Sequence, residues 1–154
     1  MILSRSSEYA IRLIFYLKER QPLDRLVRIK DIAQDLNVPY NQLAKVANAL
    51  KSENVLTSLT GPSGGIALVS GVDTLTLLDV IAIFGDERVL EGCILGLSEC
   101  SEENPCPIHS SWKRARGEIM DIFSNKNLGK LKKEQVLPII THYGNGDGLA
   151  TDHQ

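Results

Sequence analysis

The sequence of 154 residues has only three cysteines, few aromatic residues (5%) and a formal net charge of only −2. It contains no run of about 18 apolar residues, the length that a membrane-spanning helix needs, so we expect no membrane partner. The first residues lack the basic segment and apolar run of a secretory signal, which predicts a cytoplasmic protein. An odd number of cysteines without an export signal argues against a disulfide framework.

The composition, 43% hydrophobic and 23% charged, suits one compact domain, or a small domain with an appended arm, and excludes a large multidomain enzyme. The small net charge hides an asymmetry between the two halves. Residues 1–70 carry nine basic and six acidic side chains, whereas residues 71–154 carry eight and thirteen. A polyanion such as nucleic acid is therefore expected to bind the amino-terminal half.

The first 52 residues have the apolar spacing of three helices. Ser4 can cap the first, which has apolar residues at 10, 13, 14 and 17. The second begins at Ile29 and ends near Asn37, a residue type that tolerates the left-handed conformation, and Pro39 can open the third. Two short helices separated by a tight turn predict a helix-turn-helix.

A hairpin is predicted after the third helix. Two β-prone runs, 55–60 and 66–69, flank the turn-forming sequence Gly-Pro-Ser-Gly-Gly at 61–65. This order of elements predicts a winged-helix domain, in which the third helix enters the major groove and the hairpin contacts the flanking backbone. A further helix, capped by Thr74 and ended by Gly85, is expected to follow.

The candidate DNA-binding residues lie on the second and third helices and on the hairpin. Amides at these positions can bind base edges and cations can pair with phosphates. The hairpin has no Lys or Arg between Leu56 and Leu68, so Arg25 and its neighbours offer phosphate contacts instead. The alternative is an ordinary solvated helix face. The candidates are Arg28, Lys30, Tyr40, Asn41, Gln42, Lys45, Lys51 and Ser63.

All three cysteines lie within 14 residues, in the pattern Cys93-x6-Cys100-x5-Cys106. These gaps are wider than those of a zinc knuckle, and three thiolates in one loop favour an iron-sulfur cluster. The alternative is three unrelated thiols in a surface loop. Glu8 and His109 compete for a fourth position, and the residues alone favour neither, since Glu8 also suits an ion pair with Arg12.

A long helix is predicted over residues 107–123, followed by a weaker one over 128–140. The apolar stripe of the long helix is too long for the small winged domain to cover, which predicts a homodimer. The stripe consists of Trp112, Ala115, Ile119 and Ile122. The fold class is thus mainly α with a small β-hairpin. The predicted division is a winged-helix domain (1–85), a cluster-binding loop (86–107), a dimerisation helix with its C-terminal region (108–143) and a disordered tail (144–154).

Over residues 1 to about 133 the chain resembles the IscR and NsrR type of iron-sulfur winged-helix transcriptional repressors. The resemblance rests on the three cysteines and four sequence stretches: SSEYAIR at 6–12, VPYNQL at 38–43, GPSGG at 61–65 and PCPIHxxW at 105–112. It implies a homodimer built on the long helix, DNA binding by the winged domain, and a labile 4Fe-4S or 2Fe-2S cluster whose oxidation or nitrosylation changes operator affinity.

The resemblance also implies a ligand set. Cys93, Cys100 and Cys106 match the thiolate ligands of the family. An acidic residue at the position of Glu8, donated across the dimer, is the fourth ligand in the nitric-oxide-sensing branch, and a histidine at the position of His109 is the fourth ligand in the cluster-biogenesis branch. This chain has both, and we expect Glu8. Thr60 departs from the family, many members of which have a wing arginine there.

These observations predict a DNA-binding regulator, expected to be a repressor, that senses nitric oxide, redox state or iron through a cluster and is not an enzyme. Two alternatives keep the DNA-binding function. In one the cluster reports on iron-sulfur cluster biogenesis or iron supply, and in the other a cluster-free protein uses its cysteines as thiol sensors. An alternative from a different class is an iron-sulfur redox or accessory protein in which the helix-turn-helix is incidental.

Overall fold

The protein is described by a computed structural model that covers residues 3–20, 25–97 and 101–131. These residues form a mainly helical chain with one β-hairpin, which confirms the predicted fold class. In chain order the elements are α1 (Arg5–Glu19), α2 (Ile29–Asp35), α3 (Tyr40–Ser52), β1 (Leu56–Leu59), β2 (Gly65–Leu68), α4 (Leu77–Ala82), α5 (Glu87–Glu91) and α6 (His109–Asn125).

Helix α1 is the centre of the hydrophobic core. The Ser4 side chain accepts a hydrogen bond from the Ser7 backbone N–H (3.3 Å), as its predicted capping role requires. Eight of the 15 residues of α1 are buried: seven are apolar or aromatic residues on its inward side, and the eighth is Ser7 in the first turn. The inward faces of α2 and α3 and the hairpin pack around it.

The helix-turn-helix forms where the sequence predicts it. Asn37 adopts the left-handed conformation (φ 51°) after α2, and the Val38 N–H bonds to the Ala33 carbonyl (2.9 Å). Helix α3 begins directly after Pro39, which cannot donate a hydrogen bond to a preceding turn. The buried side of α3 consists of the four predicted residues, Leu43, Val46, Ala47 and Leu50.

Strands β1 and β2 pair antiparallel in register from Leu56↔Leu68 to Leu59↔Gly65, and they form the predicted wing. Gly64 is required in its turn, since a Cβ there would lie 2.2 Å from the Leu59 carbonyl oxygen. The sheet also has an isolated bridge that the sequence does not predict. Val27, in the segment before α2, exchanges two backbone hydrogen bonds of 2.9 Å with Ile66.

The predicted cap of the fourth helix is wrong by two residues. Thr74 ends a 3-10 turn (Val72–Thr74), and Thr76 caps α4 instead. Thr76 and Asp79 form a reciprocal capping box: the Thr76 hydroxyl accepts from the Asp79 N–H (3.2 Å), and the Asp79 carboxylate accepts from the Thr76 N–H (2.7 Å). Thr76 caps the helix rather than Thr74 because Asp79, three residues after Thr76, can complete the capping box.

The segment after α6 returns to the winged domain. Leu128 is 1% exposed, its N–H bonds to the Leu75 carbonyl (2.8 Å), and the Asn127 side-chain amide donates to the Thr74 carbonyl (3.1 Å). Residues 128–130 form a 3-10 turn rather than the start of the weaker predicted helix. Positions 132–140 and the predicted tail at 144–154 lie outside the described residues. Within the described ranges, no helix combines the length and apolarity needed to cross a membrane.

Candidate nucleic-acid interface and cysteine loop

The outer surface of α3 is polar and exposed, since its apolar residues are used in the core. Tyr40, Asn41, Gln42 and Lys45 occupy the first half of this surface, all exposed to solvent. Amides and a cation at the start of such a helix have the donors and acceptors that base edges and phosphates offer in a major groove. The geometry therefore leaves the predicted recognition residues available to a ligand.

A groove of about 380 Å³ separates α3 from the wing. Four of the predicted DNA-binding residues line it: Arg28, Lys30, Tyr40 and Lys51. Among the other lining residues, Asn48 and Leu59 were not among the predicted DNA-binding residues. Asn48 follows Lys45 by three positions on the exposed face of α3, which is a spacing that could have identified it, whereas Leu59 is an apolar wing residue that is 58% exposed and has no such local pattern.

A polar cluster around the buried Tyr16 fixes the helix-turn-helix to α1. The Tyr16 hydroxyl donates to the Asp35 carboxylate, and Arg20 contacts the same carboxylate at 3.2 Å while its guanidinium lies 3.6 Å from the centre of the Tyr16 ring. Burial, together with the hydrogen bond to Asp35, raises the pKa of Tyr16 well above its usual value, so its hydroxyl stays a donor. The orientation of α2 is thus tied to the core helix.

Two hydrogen bonds from α6 hold the start of the cysteine loop. The Trp112 indole N–H donates to the Gly92 carbonyl (2.9 Å), and Arg116 donates to the Glu91 carbonyl (2.6 Å). These carbonyls belong to the end of α5, directly before Cys93. Cys106 lies three residues before α6 begins. Both ends of the loop are therefore connected to the first turns of α6.

The thiols of the two described cysteines are ligands of the type that an iron-sulfur cluster requires. Cys93 and Cys106 are half-buried, and the positive end of the long helix α6 adjoins Cys106, whose carbonyl accepts from the His109 N–H (3.0 Å). Cys100 lies outside the described residues. Within residues 3–20, 25–97 and 101–131, no three His, Cys, Asp or Glu side chains converge as the ligands of a metal ion. The structure thus does not group Glu8 with the cysteines of the same chain.

The two candidates for the fourth position have different surroundings. Glu8 is half-buried in the first turns of α1, whose start is fixed by a 2.7 Å hydrogen bond from the Ser4 N–H to the buried Asp86 carboxylate. His109 is 7% exposed at the first residue of α6. Glu8 therefore belongs to the DNA-binding half of the chain, and His109 belongs to the loop and its helix.

The predicted dimer stripe is only partly covered by its own chain. Ile122 is 55% exposed and Ala115 is exposed, whereas Trp112 and Ile119 are half-buried. Trp112 also has a contact within the chain, to Gly92, which the apolar spacing did not predict. Further exposed apolar side chains lie on the cysteine loop and before α6: Ile94, Leu95, Leu97 and Ile108.

A helix-turn-helix with a wing and a polar outer face on its third helix defines a winged-helix DNA-binding regulator. The chain belongs to the Rrf2 family, whose profile, described as "Iron-dependent Transcriptional regulator", matches residues 3–134. Family membership confirms the resemblance to IscR and NsrR and the expectation of a transcriptional regulator that is not an enzyme.

Two relatives show the extent of the similarity. A putative HTH-type transcriptional regulator of Aquifex aeolicus is 35% identical over 144 residues, which are 90% of this chain and 99% of that protein. The HTH-type transcriptional regulator NsrR of Halalkalibacterium halodurans is 31% identical over 93 residues, 60% of this chain and 63% of that protein.

Solved structures share the fold at lower identity. CymR of B. subtilis, titled the global cysteine regulator, has a TM-score of 0.65 at 23% identity, with 88% of this chain and 96% of that chain covered. T. potens IscR has a TM-score of 0.61 at 20% identity, with 89% and 86% covered. These similarities establish the winged-helix fold of the described residues.

Proposed function

We propose that this protein is a homodimeric repressor that binds operator DNA through α3 and the wing and senses nitric oxide, redox state or iron through an iron-sulfur cluster. The observation that carries the DNA-binding part is the groove between α3 and the wing. Its lining includes Arg28, Lys30 and Lys51, while the acidic side chains of the chain lie mostly in its second half. A cationic groove next to exposed amides matches the arrangement of phosphates and base edges in duplex DNA.

Within this interface the residues have different roles. Asn41 and Gln42 bind base edges, so that Asn41→Ala costs about 1 to 3 kcal/mol on the preferred site and little on other sequences. Lys45 and Arg28 pair with phosphates. Lys45→Ala or Arg28→Ala therefore weakens binding to all sequences and makes its salt dependence shallower by about one counterion.

The DNA-binding proposal is tested by selecting a preferred duplex from a random library and measuring affinity against salt for each variant. Arg114→Ala, which removes an exposed cation of α6, is the control. Equal losses of affinity for Asn41→Ala on the preferred and random duplexes would assign Asn41 to a backbone contact, and no loss on either duplex would assign it to the solvated surface. Failure of the wild-type protein to select any sequence, with and without its cluster, would reject the regulator proposal.

The sensor part assigns Cys93, Cys100 and Cys106 as thiolate ligands of a 4Fe-4S or 2Fe-2S cluster. It is supported by the family description, by the name of the NsrR relative, and by the half-buried thiols at the two described cysteines. A bound cluster supplies iron that reacts with nitric oxide or oxidants. The protein contributes the loop, which Trp112 and Arg116 fix at one end and α6 continues at the other.

Anaerobic purification with absorption spectroscopy and iron analysis tests this assignment. The wild-type protein should be coloured, and Cys93→Ala, Cys100→Ala or Cys106→Ala should each remove the iron, because each loses a direct ligand. Wild-type iron content in one variant removes that residue from the ligand set. A colourless wild-type protein whose DNA affinity responds to thiol oxidants would favour the cluster-free thiol regulator instead.

The fourth ligand determines how the cluster connects to the DNA-binding domain. We favour Glu8, because it lies on the core helix of that domain, so that a ligand donated across the dimer would join the cluster of one protomer to the winged domain of its partner. Glu8→Ala should then change the spectrum and the rate of cluster loss more than His109→Ala, with Glu19→Ala as a control on the same helix. A change with His109→Ala alone would favour the biogenesis or iron-supply sensor.

A further inference from the structure

A second cleft, of about 360 Å³, lies at the tip of the wing and outside the groove along α3. Three arginines line it, Arg20, Arg25 and Arg28, together with Asp31. Its other wall is the turn of the wing, Pro62–Gly64. The described lining thus has an excess of two positive charges at a wing that has no basic residue of its own.

The bridge between Val27 and Ile66 explains how arginines from another segment reach the wing. It adds the chain before α2 to the edge of β2, so that Arg25 and Arg28 flank a residue paired with the wing. Gly65 makes this approach possible, because a Cβ there would lie 2.6 Å from the Val27 carbonyl oxygen. The backbone at Arg25 and Arg28 is therefore placed beside the wing by the pairing of Val27, which lies between them.

The three arginines differ in their availability. Arg20 contacts Asp35 (3.2 Å) and stacks on Tyr16, and Arg28 contacts Asp31 (3.1 Å). Arg25 is exposed, and among the described residues no carboxylate forms an ion pair with it. Its guanidinium is the group of this cleft that can bind an external anion without breaking an ion pair of the described chain.

The cleft adjoins the recognition groove, since Arg28 and Gly64 line both. A duplex placed against α3 and the wing would bring its flanking backbone to this position. A planar guanidinium beside a hydroxyl, here that of Ser63, is well suited to the oxygens of a phosphodiester.

We propose that this cleft binds a backbone phosphate of the DNA flanking the recognition site, with Arg25 as the principal ligand and Ser63 as a second donor. The proposal rests on the proposed DNA-binding function and adds a contact to it. In this chain the segment before α2 supplies the cation that the wing sequence lacks.

The test measures the affinity of Arg25→Ala for two duplexes, the site selected by the wild-type protein and a mixed sequence, between about 50 and 200 mM salt. The plot of log affinity against log salt should become shallower by about one counterion for both duplexes, which corresponds to a roughly 8-fold loss near 0.1 M salt. Arg25→Lys should restore the slope because it restores the charge. Arg88→Ala, whose side chain is 80% exposed on α5, should leave slope and affinity unchanged.

Two results would overturn the phosphate site while the regulator proposal stands. One is an unchanged slope for Arg25→Ala when Lys45→Ala shows the expected reduction. The other is a loss of affinity in Arg25→Ala that Arg25→Lys does not restore and that leaves the slope unchanged, which would indicate a disturbed wing. Absence of DNA binding by the wild-type protein would reject both proposals together.

Discussion

Helices α1 and α6 have similar lengths, 15 and 17 residues, but they are covered very differently by the chain to which they belong. Helix α1 buries eight residues in the winged-helix core, whereas His109 is the one buried residue of α6. The winged domain is thus complete within a single chain. Helix α6 retains exposed apolar side chains that a second copy of the chain would cover.

The difference follows from how each helix is attached. Helix α1 has a wide apolar face with neighbours on several sides, while α6 packs against α4 and α5. Trp112 and Arg116 bind the end of α5, and the residues after α6 place Leu128 in the core. Such an arrangement leaves the exposed residues of α6 available to a partner and connects the position of α6 to both the cysteine loop and the winged domain.

The largest difference is expected between truncations in the two helices. Leu13→Ala removes a side chain with 0% exposure and should lower the free energy of unfolding by about 2 to 5 kcal/mol in chemical denaturation. Ile122→Ala should leave the helical content intact and raise the dissociation constant of the proposed dimer roughly tenfold, measured by sedimentation, because it would shorten a contact of the proposed interface.

Asp121→Ala, one position away and outside the apolar stripe, is the control for Ile122→Ala. A dissociation constant unaffected by Ile122→Ala would exclude this residue from the interface. Loss of folded structure in Ile122→Ala would contradict the view that α6 is uncovered in its own chain.

A second large effect is expected at the edge of the wing. Gly65→Ala places a Cβ 2.6 Å from the backbone of Val27, so the bridge to Ile66 must open or shift. We expect a loss of about 1 to 3 kcal/mol in stability, the cost of overpacking, with faster amide exchange at Val27 and Ile66. Unchanged exchange at both amides would show that the segment before α2 is not held to the wing in solution.

The sequence predicted the elements that depend on local signals. The Ser4 cap, the turn at Asn37, the inner face of α3 and the Gly-rich hairpin each have their residues within a few positions of one another, and the structure confirms them. The Thr74 cap failed because Thr76 has the better partner at Asp79. The exposed residues of α3 were found in the same way, from the spacing of the buried ones.

Contacts between distant segments were not predictable from spacing. The Val27 bridge to Ile66, the Trp112 bond to Gly92 and the burial of Leu128 join residues that share no periodic pattern. For the same reason Leu59 was absent from the predicted DNA-binding residues, whereas Asn48 was overlooked although its spacing from Lys45 could have identified it. Periodicity identifies which side of an element is apolar, but it does not say which element packs against that side.

A smaller effect is expected where α6 binds the end of α5. Trp112→Phe retains most of the apolar volume but loses the N–H that donates to the Gly92 carbonyl, which should cost about 0.5 to 1.5 kcal/mol. Because Gly92 precedes Cys93, the variant should also lose iron faster than the wild-type protein under oxygen. Identical rates of iron loss in the variant and the wild-type protein would show that this hydrogen bond does not contribute to the stability of the cluster. Phe123→Leu, far from the loop along α6, is the matched control.

The smallest expected effect has the opposite sign. Gly117 lies in the middle of α6, nothing comes within 4 Å of a Cβ built there, and at 100° per residue its position is opposite to the stripe of Trp112, Ala115, Ile119 and Ile122. Gly117→Ala should therefore stabilise the protein by about 0.5 to 1 kcal/mol, because alanine loses less backbone entropy in a helix. Thermal unfolding of the purified protein measures the gain, with Ser110→Ala as a control near the start of the helix. A lower melting temperature would show that a partner packs closely on the Gly117 side of α6, and the dimer interface would then have to be assigned to that side instead of the apolar stripe.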